Sequence, residues 1–309
     1  MPPRPQLAAA AAAAACLAAG AAAAPLRLSR TLSDNAVLQR NAVSPPAVVW
    51  GFADAGVTVA ATLDGAALPG PPAVAGADGV WRVALPPTPA GGPHAIALAA
   101  SDGSKAAMAN VLFGDVHFCS GQSNVGFVVA QGLNASAEIA AADAFPNVRL
   151  FTVGQGTTAD APLLDLATVF AAWTEAGNAS VSGADWTTFS AVCWFFGRDL
   201  YLALGGSVPI GLISSNWGGT PLIAWSSAEA LAQCGTPPPP PTALASASAA
   251  LALAASAPAA SAAAPPAAAG SPYTASELFN AMVSPFATGP TAMAGAIWWQ
   301  GEADAPPCQ

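Results

Sequence analysis

Residues 117–125 read HFCSGQSNV, and they put Ser123 just after an apolar run, Val111 to Val116, that turns small and polar at Ser120. A buried strand that ends in an exposed turn has this pattern. A serine at the end of a parallel strand stands where open α/β sheets collect their chemistry, so Ser123 is a candidate nucleophile; a turn serine satisfying local backbone groups is the competing reading. Two later apolar runs end in the same way. Val208–Ile213 leads into Ser214, Ser215, Asn216, Trp217, Gly218, Gly219 and Thr220, and Gly295–Trp299 leads into Gln300, Gly301 and Glu302. Acyl transfer needs a nucleophile, backbone N–H donors that a glycine leaves accessible, and a side-chain amide to share developing negative charge. Each of the three strand ends supplies one of these. The alternatives are a plain turn for Gly218-Gly219 and a satisfied buried amide for Gln300. Position 125 is Val, so the serine is not in the G-x-S-x-G elbow of the common α/β-hydrolases.

The elements that must position these groups follow from the pattern of apolar residues. From about Pro25 to Asn110, short apolar segments (Ala47–Trp50, Val57–Leu63, Val80–Leu85, His94–Ala99) alternate with Gly, Pro and Asp turns, which predicts an all-β module, a small sandwich. After Val111 the units lengthen. Phe189, Val192, Cys193, Phe196, Leu200 and Leu204 recur at helical spacing and Gly205-Gly206 follows, predicting a helix with a buried face and a glycine stop. Helix, strand, then glycine-bearing loop is the rhythm of an α/β sheet. Residues 236–271 form a Pro/Ala/Ser tract with five consecutive prolines, lacking the large apolar residues that offset the entropy of ordering, and are expected to be a disordered insertion. Beyond it, Ser276 or Thr274 is expected to cap a short helix carrying Leu278, Phe279, Met282 and Val283.

Composition bounds the partners. Seventeen acidic against eight basic residues give a formal charge of −9, which argues against nucleic acid or an anionic membrane surface. Residues 1–24 carry one arginine and an alanine-rich apolar run, read as a cleaved signal peptide in preference to an anchor, because alanine is weakly apolar and no basic flank follows. The expected compartment is secreted or lumenal: extracellular, vacuolar or lysosomal. Removal of the leader leaves Cys119, Cys193, Cys234 and Cys308, enough for two bridges of undetermined pairing. No C-x-x-C pair occurs, so no zinc site is expected, and no cofactor is called for. The sequons at Asn134 and Asn178 suit a secreted glycoprotein.

The motifs GDVHFCSGQSN, IGLISSNWGGTPLIAWSS, LFNAMVSPF and AIWWQGEAD resemble those of the sialate O-acetylesterases. SAVCWFFGRDLY, PNVRLF, LSDNAVLQR, VWGFA and DGVWRVALP extend the resemblance from about Leu26 to Asp304. It implies an α/β fold, the SGNH-hydrolase (flavodoxin-like) three-layer α/β/α domain, with an N-terminal β-sandwich-like module. The implied divisions are 25–110 for the β module, 111–235 for the first part of the esterase domain and 272–309 for its continuation. The resemblance also implies removal of O-acetyl groups from sialic acid or related acetylated sugars; plant-type acetylated polysaccharide is a further possible substrate that the sequence does not decide. Ser123 matches the nucleophile that forms an acetyl-enzyme. Gly219 by preference, or Gly218, and Gln300 would join the Ser123 N–H in the oxyanion hole. Glu302 would order its loop, and Trp217, Trp298 and Trp299 could stack on sugar or sit in the core.

One feature of the family is missing. Its base is a C-terminal histidine with an aspartate three residues before it, and no aspartate here has a histidine at that spacing. The chain holds only His94 and His117, both read as structural or surface histidines. The expectation is a chain truncated before Asp-x-x-His, with an inactive sugar-binding relative or a gene fragment as the alternative.

Overall fold

A computed structural model describes residues 25–42, 44–235 and 274–304. The expected signal peptide and the Pro/Ala-rich insertion lie outside the described residues. Short strands build the first third: β1 (Arg27–Leu28), β2 (Val37–Gln39), β3 (Val48–Phe52), β4 (Thr58–Leu63), β5 (Ala66–Ala67), β6 (Ala73–Val74), β7 (Val80–Ala84) and β8 (Gly91–Ala100). β1, β3 and β7 form one antiparallel sheet, and β4 and β8 belong to a second, larger one. Val49, Trp81 and Val83 from the first meet Val59, Ala61, Ile96, Leu98 and Met108 from the second in a shared core, the face-to-face packing of a sandwich. Gly51 is required where β1 crosses β3, because a Cβ there would lie 2.0 Å from the Arg27 carbonyl oxygen.

β9 (Lys105–Gly121) joins the two halves of the molecule. Its first part pairs antiparallel with β8, and Leu112–Gly114 pair in parallel with β2. Its second part is the middle of a parallel sheet with β10 (Val148–Val153), β12 (Ile210–Asn216) and β13 (Gly295–Trp299); β11 (Val169–Glu175) is antiparallel at the far side. The order is β11-β10-β12-β9, with β13 on the other flank of β9. A boundary after Asn110 thus falls inside one continuous strand, at a residue whose φ is 55°.

The sheet is covered on both faces because its strands alternate. Val148 and Leu150, Ile210 and Leu212, and Cys119 enter one core; Phe151 and Val153, Ile213, Val116 and Phe118 enter the other. Full burial of such side chains contributes about 1.5–3 kcal/mol each. The helices that follow β9 are short: α1 (Ser123–Gly126), α2 (Ala135–Ala141) and α3 (Asn178–Val181). α4 (Ala191–Ala203) covers the first face, and α5 (Leu222–Trp225) and α6 (Ala228–Gln233) follow β12. On the second face a π-helical turn, Phe279–Val283, leads into α7 (Ser284–Thr288), with Leu278, Met282 and Phe286 buried. These layers make the three-layer α/β/α arrangement.

Some local expectations differ from the structure. α4 begins after Ser190, whose hydroxyl accepts from Cys193 N at 3.2 Å, and ends before Gly205 and Gly206, both at φ 69°. Its buried face is Ala191, Cys193, Trp194 and Gly197, and Phe196 is turned partly outward. The cause is Gly197: a Cβ there would lie 2.4 Å from Leu212 Cδ1, so the helix rests its bare side on β12. Four cysteines allowed two bridges; Cys119 and Cys193 form one, Cys234 is free and exposed, and Cys308 lies outside the described residues. Ser276 does not cap with its hydroxyl. It has φ 66°, and its carbonyl accepts from Asn280 N at 2.8 Å. Trp298 and Trp299 are 45% and 49% exposed, outside the core, because among the described residues β13 pairs only with β9. No helix of the described residues is long and apolar enough to cross a membrane.

Candidate active site

The parallel strands all deliver their C-terminal ends to one rim, and the polar clusters of the sequence meet there. Gly121 closes β9 with φ 145°, and a Cβ on it would lie 1.9 Å from the Trp299 carbonyl oxygen, so only glycine allows β9 and β13 to approach. The chain then turns at once. Val125 N and Gly126 N both donate to Gln122 O, at 3.1 and 3.0 Å, which makes Ser123 the first residue of α1. Gln122 itself is buried. Its N–H donates to Trp299 O (3.2 Å) and its Oε1 accepts from Ala303 N (3.2 Å), tying the serine turn to the loop after β13.

The glycine turn comes from β12. Trp217 N donates to Gly121 O at 3.2 Å, bringing the following residues beside the serine. Gly218 lies against it: a Cβ on Gly218 would be 3.4 Å from Ser123 Cβ and 3.9 Å from Ser123 N. Gly219 has φ 75°, a conformation that favours glycine. Thr220 locks the turn, donating to Trp217 O at 2.7 Å and accepting from Trp225 Nε1 at 2.8 Å. The pair of glycines therefore serves two needs, close approach at Gly218 and backbone conformation at Gly219.

The third cluster is the loop after β13. Gln300 Nε2 donates to Thr220 O (3.2 Å) and to Asp304, and it lies 3.5 Å from Gln122 Oε1. Its amide N–H groups are engaged within the loops, so sharing charge on an oxyanion requires one of them to turn away from these partners. Asp304 also accepts Leu222 N at 2.9 Å, holding the start of α5. Glu302 accepts from Asn124 Nδ2, next to the serine.

Two further polar side chains lie at the same strand ends, and the sequence assigned neither a role. Asn216 is buried at the end of β12, and its Nδ2 donates to Ser214 Oγ at 2.9 Å. Gln155 follows β10 and donates to Asn216 O at 2.9 Å. Neither Asn nor Gln has a spacing that marks it, and only the shared rim of the parallel strands groups them.

Neither histidine contacts Ser123. His94, on β8, pairs with Asp64 Oδ2 at 2.7 Å and meets Phe113 edge-on. His117 is half-buried on β9, edge-on to Phe196 with ring centroids 5.1 Å apart, and burial lowers its pKa despite the nearby Asp115 carboxylate. Among the described residues no group of three or more His, Cys, Asp or Glu side chains could hold a metal ion.

A strand-end serine, a glycine turn and a side-chain amide thus meet at one rim of a three-layer α/β protein. Comparison with known proteins narrows the reading. No family model matches the chain. The sialate O-acetylesterase of Rattus norvegicus is 35% identical over 290 residues, covering 90% of this chain and 52% of the relative. That of Homo sapiens is 33% identical over 285 residues, covering 90% and 49%. A crystal structure of a carbohydrate acetylesterase from Xanthomonas citri superposes with a TM-score of 0.68 at 29% identity, covering 92% of this chain and 53% of that one. Over nine-tenths of its length the chain is similar to the sialate O-acetylesterases, and it spans about half the length of the curated relatives it matches.

Proposed function

We propose that the chain carries the nucleophile side of a serine carbohydrate esterase that removes O-acetyl groups from sialic acid or a related acetylated sugar. The observation that carries this reading is Ser123 at the head of α1, packed against the Gly218-Gly219 turn, in a chain homologous to sialate O-acetylesterases. Ser123 Oγ attacks the acetyl carbonyl carbon. The C–O bond to the sugar then breaks, the sugar oxygen takes a proton, and water later releases acetate from the acetyl-enzyme. Backbone N–H groups of Ser123 and of the glycine turn, Gly219 or the neighbouring Gly218, face the developing oxyanion, and Gln300 adds an amide. Loss of one such donor typically costs about 3 kcal/mol of transition-state stabilisation.

The proton from Ser123 needs an acceptor, and neither His94 nor His117 is placed to take it. The base of this reading is the Asp-x-x-His pair that the resemblance implies, and neither histidine of these 309 residues supplies it. The compartment in this reading is secreted or lumenal, and both sequon asparagines, Asn134 and Asn178, are exposed. The test is acetate release from O-acetylated sialic acid by this chain joined to whatever its own transcript encodes after codon 309. The expected result is an in-frame Asp-x-x-His, activity in the extended protein, and loss of at least about a thousandfold in Ser123→Ala. Activity that survives Ser123→Ala would refute the serine mechanism. A stop codon in place of the extension would leave a sugar-binding relative.

A further inference from the structure

Trp186 is 48% exposed and projects from the loop between α3 and α4, a stretch in which no sequence motif lies. Its ring is nonetheless at the candidate site. A Cβ placed on Gly126 would lie 3.3 Å from Trp186 Cε3 and 2.7 Å from Asn216 Oδ1, so the ring edge and the amide meet over the bare backbone of Gly126. Gly126 is three residues after Ser123 in α1, and side-chain positions three apart on a helix are about 5–6 Å from each other. The indole therefore lies against the same short helix that begins with Ser123.

The loop that holds the indole is braced. Asp185 Oδ1 accepts from Thr187 N at 2.9 Å, from the Thr187 hydroxyl, and from the Thr188 hydroxyl at 3.4 Å, and these bonds hold its pKa below the ordinary carboxylate value. Gly183 lets the loop fold on itself, since a Cβ there would lie 2.0 Å from Thr188 Oγ1. The exit of the loop is fastened to the nucleophile segment. Ala191 N donates to Phe127 O at 2.7 Å, and Val128 bridges to Ser190. The Cys119–Cys193 disulfide then fixes the first turn of α4 to β9, four residues before Ser123. Three separate ties thus fasten the segment after Trp186 to the strand and turn that lead to and follow Ser123.

We propose that Trp186 is the stacking platform for the pyranose ring of the O-acetylated sugar, with Asn216 and Gln155 forming the polar wall beside it. The apolar C–H face of a pyranose matches an indole face, and its hydroxyls match amide side chains. The inference rests on the esterase reading above and adds a subsite that selects a ring over an acyclic ester.

The test uses calorimetric titration of the 309-residue chain with two probes: the methyl glycoside of 9-O-acetylsialic acid, and triacetin, an acetate ester without a ring. Trp186→Ala is expected to weaken glycoside binding about tenfold and to leave triacetin binding unchanged, and Trp186→Phe to recover most of the loss. Thermal melts of both variants within a few degrees of the parent exclude a folding defect. If Trp186→Ala binds the glycoside as the parent does, the platform is wrong and the esterase reading stands. If the parent binds triacetin and not the glycoside, the sugar reading itself falls and the platform with it.

Discussion

At the scale of single residues the candidate site is held by backbone contacts that leave little room for substitution. Gly121 combines φ 145° with a Cβ position 1.9 Å from Trp299 O, so Gly121→Ala must push β13 away from β9. A loss of about 3 kcal/mol or more is expected, read as a lowered midpoint in chemical denaturation. Ser123→Ala is expected to leave stability nearly unchanged. Ser123 is only partly buried at the head of α1, so stability should stay within about 0.5 kcal/mol of the parent. A large loss there would mean that Ser123 is a structural turn residue. Much of the site was legible in the sequence, because strand ends announce themselves when apolar runs stop at small polar residues. Ser123, Gly218-Gly219 and Gln300 were found in this way. Gln122, Asn216 and Trp186 were not, since what matters about them is a neighbour distant in the chain: Trp299 and Ala303 for Gln122, Gln155 for Asn216, Gly126 for Trp186.

At the scale of elements, α4 shows how tertiary contact overrides periodicity. The apolar spacing predicted a face through Phe196 and Leu200, and the helix instead turns Gly197 and Trp194 to the sheet, where Leu212 fills the missing side chain of Gly197. Its ends were legible, because Ser190 and Gly205-Gly206 act locally. The disulfide follows from the same rotation. Cys193 lands on the buried face opposite Cys119, a pairing that spacing alone left open among four cysteines. The bridge closes a separation of 74 residues between the strand that leads to Ser123 and the helix that follows the Trp186 loop. Cys193→Ser is accordingly expected to lower stability by about 2–5 kcal/mol, measured by denaturation under non-reducing conditions. Reductant should then lower the parent and leave the variant where it is. If reductant shifts both equally, the bridge is not the source of the difference.

At the scale of the whole molecule, the β module and the parallel sheet share β9 and are clamped together at its centre. Arg40, just after β2, donates from Nε and Nη2 to the two carboxylate oxygens of Asp115, both at 2.9 Å. Gln39 adds a bond to the same carboxylate at 3.1 Å and accepts from Val116 N at 2.9 Å. That the two halves are continuous was not legible, because the composition changes near Asn110 while the strand does not. Burial alone would raise the Asp115 pKa, but the hydrogen bonds from Arg40 and Gln39 and the guanidinium charge outweigh it and hold the carboxyl below its ordinary value of 3.8. A depressed folded-state pKa contributes stability that is fully present above the unfolded value, about 3.9, and is lost as the pH falls through the folded value. Asp115→Asn is thus expected to be less stable than the parent at neutral pH by about 1.5–3 kcal/mol, the range for hydrogen bonds to a charged group. The gap should close only on the acid side of pH 4, as the parent carboxyl takes up its proton. Denaturant midpoints for parent and variant across that range decide the matter: a gap that is the same in acid as at neutrality would show that the carboxylate charge is not what clamps the two halves, and that Asp115 serves only by shape.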